Sequence, residues 1–169
     1  MSYIRTYSDK MFDYSNINPN QIDINDIAQA LSQIPRWLGH TDKLYSVAQH
    51  CCWCYDNTDG NKLEALMHDA TEAYVSDIPS PLKALLPDYK NIENKVATQI
   101  ALKFRFNYPY SHNTHIVDKQ ALYFERTNVK KLDNDYIPLD KNISKFCNIK
   151  HWSSKKAKKE FLKRFNNEL

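Results

Sequence analysis

Glycine is nearly missing from this chain: Gly39 and Gly60 are its two examples in 169 residues, where average usage of about 7% would supply roughly twelve. Loops that hold phosphate on backbone N–H groups, whether a P-loop or a dinucleotide-binding fingerprint, need several glycines close together. Two glycines so far apart in sequence build neither. If the protein handles phosphate, something other than a glycine loop must hold it.

Other absences narrow the field further. No stretch approaches the roughly 18 consecutive apolar residues of a membrane span, and the N-terminal MSYIRTYSDK has no apolar core of a signal peptide. A soluble, cytoplasmic protein with no membrane partner is expected. Charge of one sign is also scarce, since 23 Lys plus Arg face 20 Asp plus Glu for a net +3. That balance argues for neither a nucleic-acid surface nor a polybasic membrane anchor. Of the four cysteines, three stand together in CCWC as Cys51, Cys52 and Cys54. Adjacent helical cysteines are poorly placed to bridge one another, and no zinc-finger partner pair accompanies them. They are expected as reduced, buried thiols and are assigned no chemistry.

What the chain does contain is Leu, Ala, Lys, Glu and Gln in periodic runs, broken by Pro, Asn and Asp. This predicts an all-α fold in a single domain spanning residues 1–169, with little support for strands. Ile24, Ile27, Ala28 and Leu31 repeat at helical spacing, with Asp23 or Asn25 as cap and Pro35 as stop. A second helix is expected from Leu44 to about Tyr55, its stripe formed by Val47, His50, Cys51 and Cys54. A third is expected over about Lys62 to Tyr74, where Leu63, Leu66, Met67, Ala70, Ala73 and Tyr74 make one apolar face. The prolines of DIPSPLKALLPDY, Pro79, Pro81 and Pro87, predict a rigid extended connection. Further helices are expected from about Ile92 to Phe106, from Asn113 or Thr114 to about Leu132, and from about Ser154 to Phe165. The lysines of the last helix read as the solvated face of an amphipathic packing element, because one basic face without stacking aromatics is ordinary.

Chemistry concentrates in HDATEAYVSDIPSPLK, residues 68–83. On a helix His68 and Asp69 are adjacent, and Glu72 follows one turn later, so the three project near one face. That is the geometry of half a metal site, and it requires further donors from other helices. His50, on the apolar stripe of the second helix, and Asp118, early in the fifth, are the candidates. A single inward histidine is ordinarily a hydrogen-bonded core residue. The ordered set His50, His68-Asp69, Asp118 is a stronger signal than any member.

That order, with the run HDATEAYVSDIPSPLK and the upstream PRW at 35–37, resembles the HD-domain metal-dependent phosphohydrolases over about residues 31–126. The 68–83 segment is similar to 5′-deoxynucleotidases of that family, and GHTDKLYSVAQH, residues 39–50, is more similar to phage-encoded members that include dATP triphosphohydrolases. The resemblance implies an HD-domain helical bundle in which His50, His68, Asp69 and Asp118 bind one divalent ion, Zn, Mn, Co or Mg. Such an ion lowers the pKa of a bound water and polarises a phosphoryl group. It further implies Glu72 as the catalytic carboxylate, Arg36 and Trp37 as nucleotide contacts, Asp77 toward the deoxyribose, and Lys83, His40 and Lys43 toward phosphate. Homo-oligomers are common in the family, and a phage-encoded member would act in host cytoplasm.

Departures leave alternatives open. Gln49 stands where the bacterial deoxynucleotidases carry Glu, and the GHTDK loop is not theirs, so the expected substrate leans to a deoxynucleoside triphosphate such as dATP, with removal of phosphate from a deoxynucleoside monophosphate as the alternative. A non-catalytic nucleotide sensor and an exonuclease on short oligonucleotides are further readings. His112 and His115, just before Asp118, are expected as solvated loop residues unless a second metal enlists them.

Overall fold

The computed structural model describes residues 1–130 and 150–169. Its elements run in order through a hairpin of β1 (Tyr3–Arg5) and β2 (Met11–Asp13), then α1 (Ile24–Gln33), α2 (Val47–Asn57), α3 (Lys62–Met67), α4 (Glu72–Val75), α5 (Ser80–Lys83), α6 (Pro87–Phe104), α7 (His112–Asn128) and α8 (Ser154–Asn166). The fold is thus mainly α, and the strands for which the sequence gives little support amount, among the described residues, to one antiparallel pair in which Ile4 faces Phe12. Three-residue strands are too short to establish an alternating pattern in sequence. Phe12 holds the hairpin to the helices: its ring is fully buried and stacks on Tyr74 at 4.2 Å.

α2 is the central element, packing against α1, α3, α7 and α8. Its expected stripe of Val47, His50, Cys51 and Cys54 is wholly buried. It begins at Val47 rather than Leu44 because the Ser46 side chain accepts from the Gln49 N–H as N-cap. Residues ahead of it run alongside the end of α1, where Arg36 N donates to Tyr45 O at 2.9 Å and Val47 N to Ile34 O at 3.0 Å. α1 matches its expected span, capped by Asp23. α8 buries Ala157, Phe161 and Phe165 against α1 and α2, as its amphipathic pattern predicts.

Two expectations fail for local reasons. The helix expected over 62–74 is interrupted: α3 ends at Met67, and residues 68–71 tighten into turns, with Ala70 N donating to Met67 O at 2.9 Å and Glu72 N to Asp69 O at 3.0 Å. His68 explains the break, because its Nδ1 donates to the Ala65 carbonyl at 2.9 Å. That is the carbonyl a continuous helix would offer to the Asp69 N–H, so side chain and backbone compete for one acceptor. The proline-rich stretch is also not extended. Pro81 lies in the first turn of α5, and Pro87 opens α6 five residues before the expected start; both prolines occupy helix N-termini, where a missing N–H costs nothing. α7 begins at His112, after the N-cap Ser111, and the expected end near Leu132 lies outside the described residues. Among the described residues no helix is long and apolar enough to cross a membrane.

Candidate metal centre

Four side chains from three parts of the chain point at one spot. His50 comes from the middle of α2, His68 and Asp69 from the turns that end α3, and Asp118 from the second turn of α7. His50 Nε2 lies 3.2 Å from His68 Nε2, 3.3 Å from Asp69 Oδ2 and 3.3 Å from Asp118 Oδ1. His68 Nε2 lies 3.3 Å from Asp69 Oδ2 and 3.6 Å from Asp118 Oδ1. Donors about 2.0–2.2 Å from a tetrahedral zinc ion stand about 3.3–3.6 Å from one another, so the spacing fits a cation among them.

The hydrogen bonds behind the cluster make the same case. The Ala65 carbonyl can only accept, so His68 Nδ1 carries the proton and Nε2 presents a lone pair. His50 Nδ1 stands 2.6 Å from Glu125 Oε1. Arg36 and His50 hold Glu125 ionised against the upward push of its burial, so Nδ1 donates here too. Two imidazole lone pairs and two carboxylate oxygens therefore face one point, and Asp69 Oδ2 is buried with no hydrogen-bond donor. Such a set requires positive charge at its centre. Burial, and at His50 the charge of Arg36, oppose charging of the two imidazoles, but Cys54, Glu125 and Asp118 around His50, and Asp69, Asp118 and Cys54 around His68, outweigh this and raise both above their ordinary range. Either protons or a metal ion can supply that charge, and the cluster could hold such an ion.

Sulfur borders it as well. Cys54 Sγ is 3.7 Å from His50 Nε2, and a donor atom of Cys54 lies within 4.8 Å of both histidines. Cys51 is grouped in the same way with His68 and Asp69. The expectation that these thiols take no part in the chemistry is thereby corrected for position: one turn of α2 brings Cys54 onto the face that carries His50. Burial pushes the Cys51 thiol well up, which disfavours it as a thiolate donor. Cys52 points away from the cluster, its thiol pushed up to about 12 by burial.

Through Asp69 and Asp118 the cluster borders a cavity of about 490 Å³, lined also by Arg36, Trp37, Glu72, Asp77, Lys83 and Arg126 among others. Glu72 is 5% exposed, and its Oε2 lacks a hydrogen-bond partner. Burial, then the charges of Asp69 and Asp77, raise its carboxyl well above the usual carboxylate range. Burial likewise raises Asp77. Arg36 reaches Asp69 Oδ2 at 3.5 Å through Nη1 and Glu125 Oε2 at 3.2 Å through Nη2. Lys83 is engaged by Glu93 at 2.6 Å.

Of the sequence-predicted residues, the structure brings together His50, His68, Asp69, Asp118, Glu72, Arg36, Trp37, Asp77 and Lys83. It does not bring in His40 and Lys43. His40 lines a separate shallow depression with Thr41, Asp42 and Lys130, and Lys43 is exposed, its carbonyl accepting from Thr41 Oγ1 at 2.8 Å. His112 and His115 are exposed on α7, and the His115 ring lies 6.5 Å from that of Tyr110. Gln49 has a structural task, its amide accepting from Trp152 N at 3.0 Å and donating to Lys150 O at 3.1 Å. Two residues escaped the sequence reading, Glu125 and Arg126. The available signal was helical spacing: Glu125 lies two turns after Asp118, on the same face of α7.

The chain is 41% identical to the uncharacterized protein YfdR of Escherichia coli over 98% of its own length and 95% of that protein's. It is 31% identical to the uncharacterized protein RCAP_rcc00048 of Rhodobacter capsulatus over 111 residues, 59% of this chain and 57% of that one. No protein-family model matches it.

Proposed function

The chain belongs to the family of YfdR from Escherichia coli, and we propose that it is an HD-domain phosphohydrolase that uses a divalent metal to hydrolyse 2′-deoxynucleotides, with a deoxynucleoside triphosphate such as dATP as the substrate. The observation that carries this reading is the convergence of four donors, His50, His68, Asp69 and Asp118, two of which, Asp69 and Asp118, line a cavity that also presents Arg36, Trp37 and Glu72. A divalent ion held by those four would supply Lewis acidity toward a phosphate oxygen and acidify a water.

The chain's own residues divide the remaining work. Glu72, without a hydrogen-bond partner at Oε2, is placed to take the proton of the attacking water and return it to the leaving oxygen as the P–O bond breaks. A carboxyl whose proton affinity is raised by burial is suited to that exchange near neutral pH. Arg36 offers a planar fork to phosphate, and Trp37 an indole face to sugar or base. Asp77 faces the sugar. Lys83 and Arg126 add positive charge along the cavity for phosphates beyond the first. The triphosphate reading requires Arg126, and Lys83 in exchange for its 2.6 Å pairing with Glu93, to meet those further phosphates.

The test is incubation of the purified protein with a panel of deoxynucleotides in Mn²⁺, Co²⁺ or Mg²⁺. Release of tripolyphosphate is the expected product. Orthophosphate from a deoxynucleoside monophosphate would reassign the enzyme as a 5′-deoxynucleotidase, and lack of turnover of every nucleotide would remove the hydrolase reading.

A further inference from the structure

Glu125 is completely buried and has both oxygens engaged from three directions. Oε1 takes the His50 Nδ1–H at 2.6 Å. Oε2 takes Trp37 Nε1 at 3.1 Å, Arg36 Nη2 at 3.2 Å and Arg36 Nε at 3.3 Å. With about four acceptor positions on a carboxylate, it has no capacity left for solvent. One side chain thus ties a candidate cation ligand to both residues assigned to the nucleotide.

The segment it ties has a conformationally costly backbone. Trp37, Leu38 and Gly39 all have positive φ, of 59°, 51° and 77°. For bulky residues such a conformation costs about 1–3 kcal/mol and persists only where the surroundings impose it. The Trp37 indole N–H donates to Glu125, so a restraint on its side chain comes from α7, the helix that also carries Asp118.

We infer that Glu125 is a positioning residue that couples the cation site to the phosphate-binding segment, so that a divalent cation and a phosphate chain each favour binding of the other. This rests on the metal-site reading above. The physical route has two parts. A cation on Asp69 Oδ2 would neutralise the carboxylate that Arg36 Nη1 pairs with at 3.5 Å, leaving that N–H a stronger donor toward the cavity that Arg36 lines. Glu125 meanwhile keeps the guanidinium and His50 at a fixed separation, so that donor stays aimed rather than wandering to solvent. A histidine bound to a cation through Nε2 also donates more strongly through Nδ1, tightening the same carboxylate.

The probes are Co²⁺ alone, followed by its absorption bands and by calorimetry, and tripolyphosphate as the phosphate chain. In the wild type each should raise the other's affinity by the same factor, within the roughly 5–150-fold range of ordinary coupling. Glu125→Gln should lower Co²⁺ affinity by about 10–100-fold and reduce the mutual enhancement below the wild-type factor, to what direct contact of cation and phosphate alone supplies. Glu64→Gln, at an equally buried glutamate whose partners are Ser111 and Thr114, should leave both unchanged. Should Glu125→Gln fail to fold, Trp37→Phe, which removes one donor and keeps the carboxylate, should lower the enhancement while leaving Co²⁺ affinity alone. A folded Glu125→Gln protein with wild-type Co²⁺ affinity and wild-type enhancement overturns the inference. Absence of nucleotide turnover in a wild type that still shows the coupling would count against the hydrolase and not against the coupling.

Discussion

Glu64 and Glu125 are buried to the same degree, 2% and 0% exposed, yet they do opposite things. Glu64, on α3, collects uncharged donors at the start of α7: Ser111 N at 2.6 Å, Ser111 Oγ at 2.7 Å and Thr114 Oγ1 at 2.5 Å. It fastens one helix to the N-terminus of another, where negative charge is favoured. Glu125, on α7, collects Arg36, His50 and Trp37, two of which are cationic or can become so. A third, Glu72, has one oxygen with no donor among the described residues. Burial therefore does not distinguish frame from site in this molecule. The partners do: neutral donors mark the frame, cationic donors the support of the site, and a missing donor marks the place where something else must bind.

The largest effect is expected where the donor is missing. Glu72→Gln should lower turnover by about 10²–10⁴-fold, the usual contribution of a positioned acid or base, while Co²⁺ affinity stays within a few-fold of wild type. Steady-state assays and calorimetry on the same preparation separate the two. Loss of Co²⁺ binding in this variant would make Glu72 a ligand and redraw the comparison.

Next in size is the effect of the cation. At about one hundred times its Kd, Mn²⁺ or Zn²⁺ should stabilise the fold by about 2.7 kcal/mol, read as a rise in Tm that His50→Ala abolishes. The sign with pH follows from the raised imidazoles. Without metal, a raised folded pKa contributes stability below the unfolded value of about 6.5, which is lost as pH climbs through the folded value. The cation replaces those protons, so its stabilising effect should grow from pH 6 to pH 8. A rise in Tm that is flat over this interval would mean that the imidazoles are not the ligands.

Glu64→Ala tests the frame. It leaves three donors near the Ser111 cap without their acceptor, at a cost of about 1–3 kcal/mol, seen in denaturant unfolding. Co²⁺ affinity should not change. A matching loss of cation binding would show that α7 cannot shift at its N-terminus without moving Asp118.

The parts legible in sequence were those set by short-range rules. The inward stripe of α2, the Asp23 cap and the apolar face of α8 all follow from spacing, and His50, His68, Asp69 and Asp118 could be grouped by order along the chain. What resisted was decided by competition or by distance. His68 takes the Ala65 carbonyl and breaks the helix that periodicity extends through it. Pro87 reads as a stop although it opens an eighteen-residue helix. Glu125 carried no motif, because its partners lie 75, 88 and 89 positions away. Arg36 and Trp37 were found, but the left-handed backbone that aims them was not, since nothing in PRWLG requires it outside Gly39.

The smallest expected effect belongs to a partly exposed carboxylate at the start of α1. Asp23 caps α1 and pairs with Lys10 at 2.8 Å, with the two side chains 25% and 38% exposed. The Lys10 hydrogen bond is the main cause that holds its carboxyl below 3.8. Asp23→Asn keeps an N-cap acceptor and removes the charge, so the loss should stay under about 1 kcal/mol after solvent screening. A depressed folded pKa contributes stability above the unfolded value, and that contribution is lost as pH falls through the folded one. Wild type and variant should therefore differ at pH 6, converge as the pH drops below 3.8, and differ less in high salt. A gap that persists at low pH and in salt would trace the effect to the cap alone, and would place Asp23 with Glu64, among carboxylates held by backbone and neutral donors.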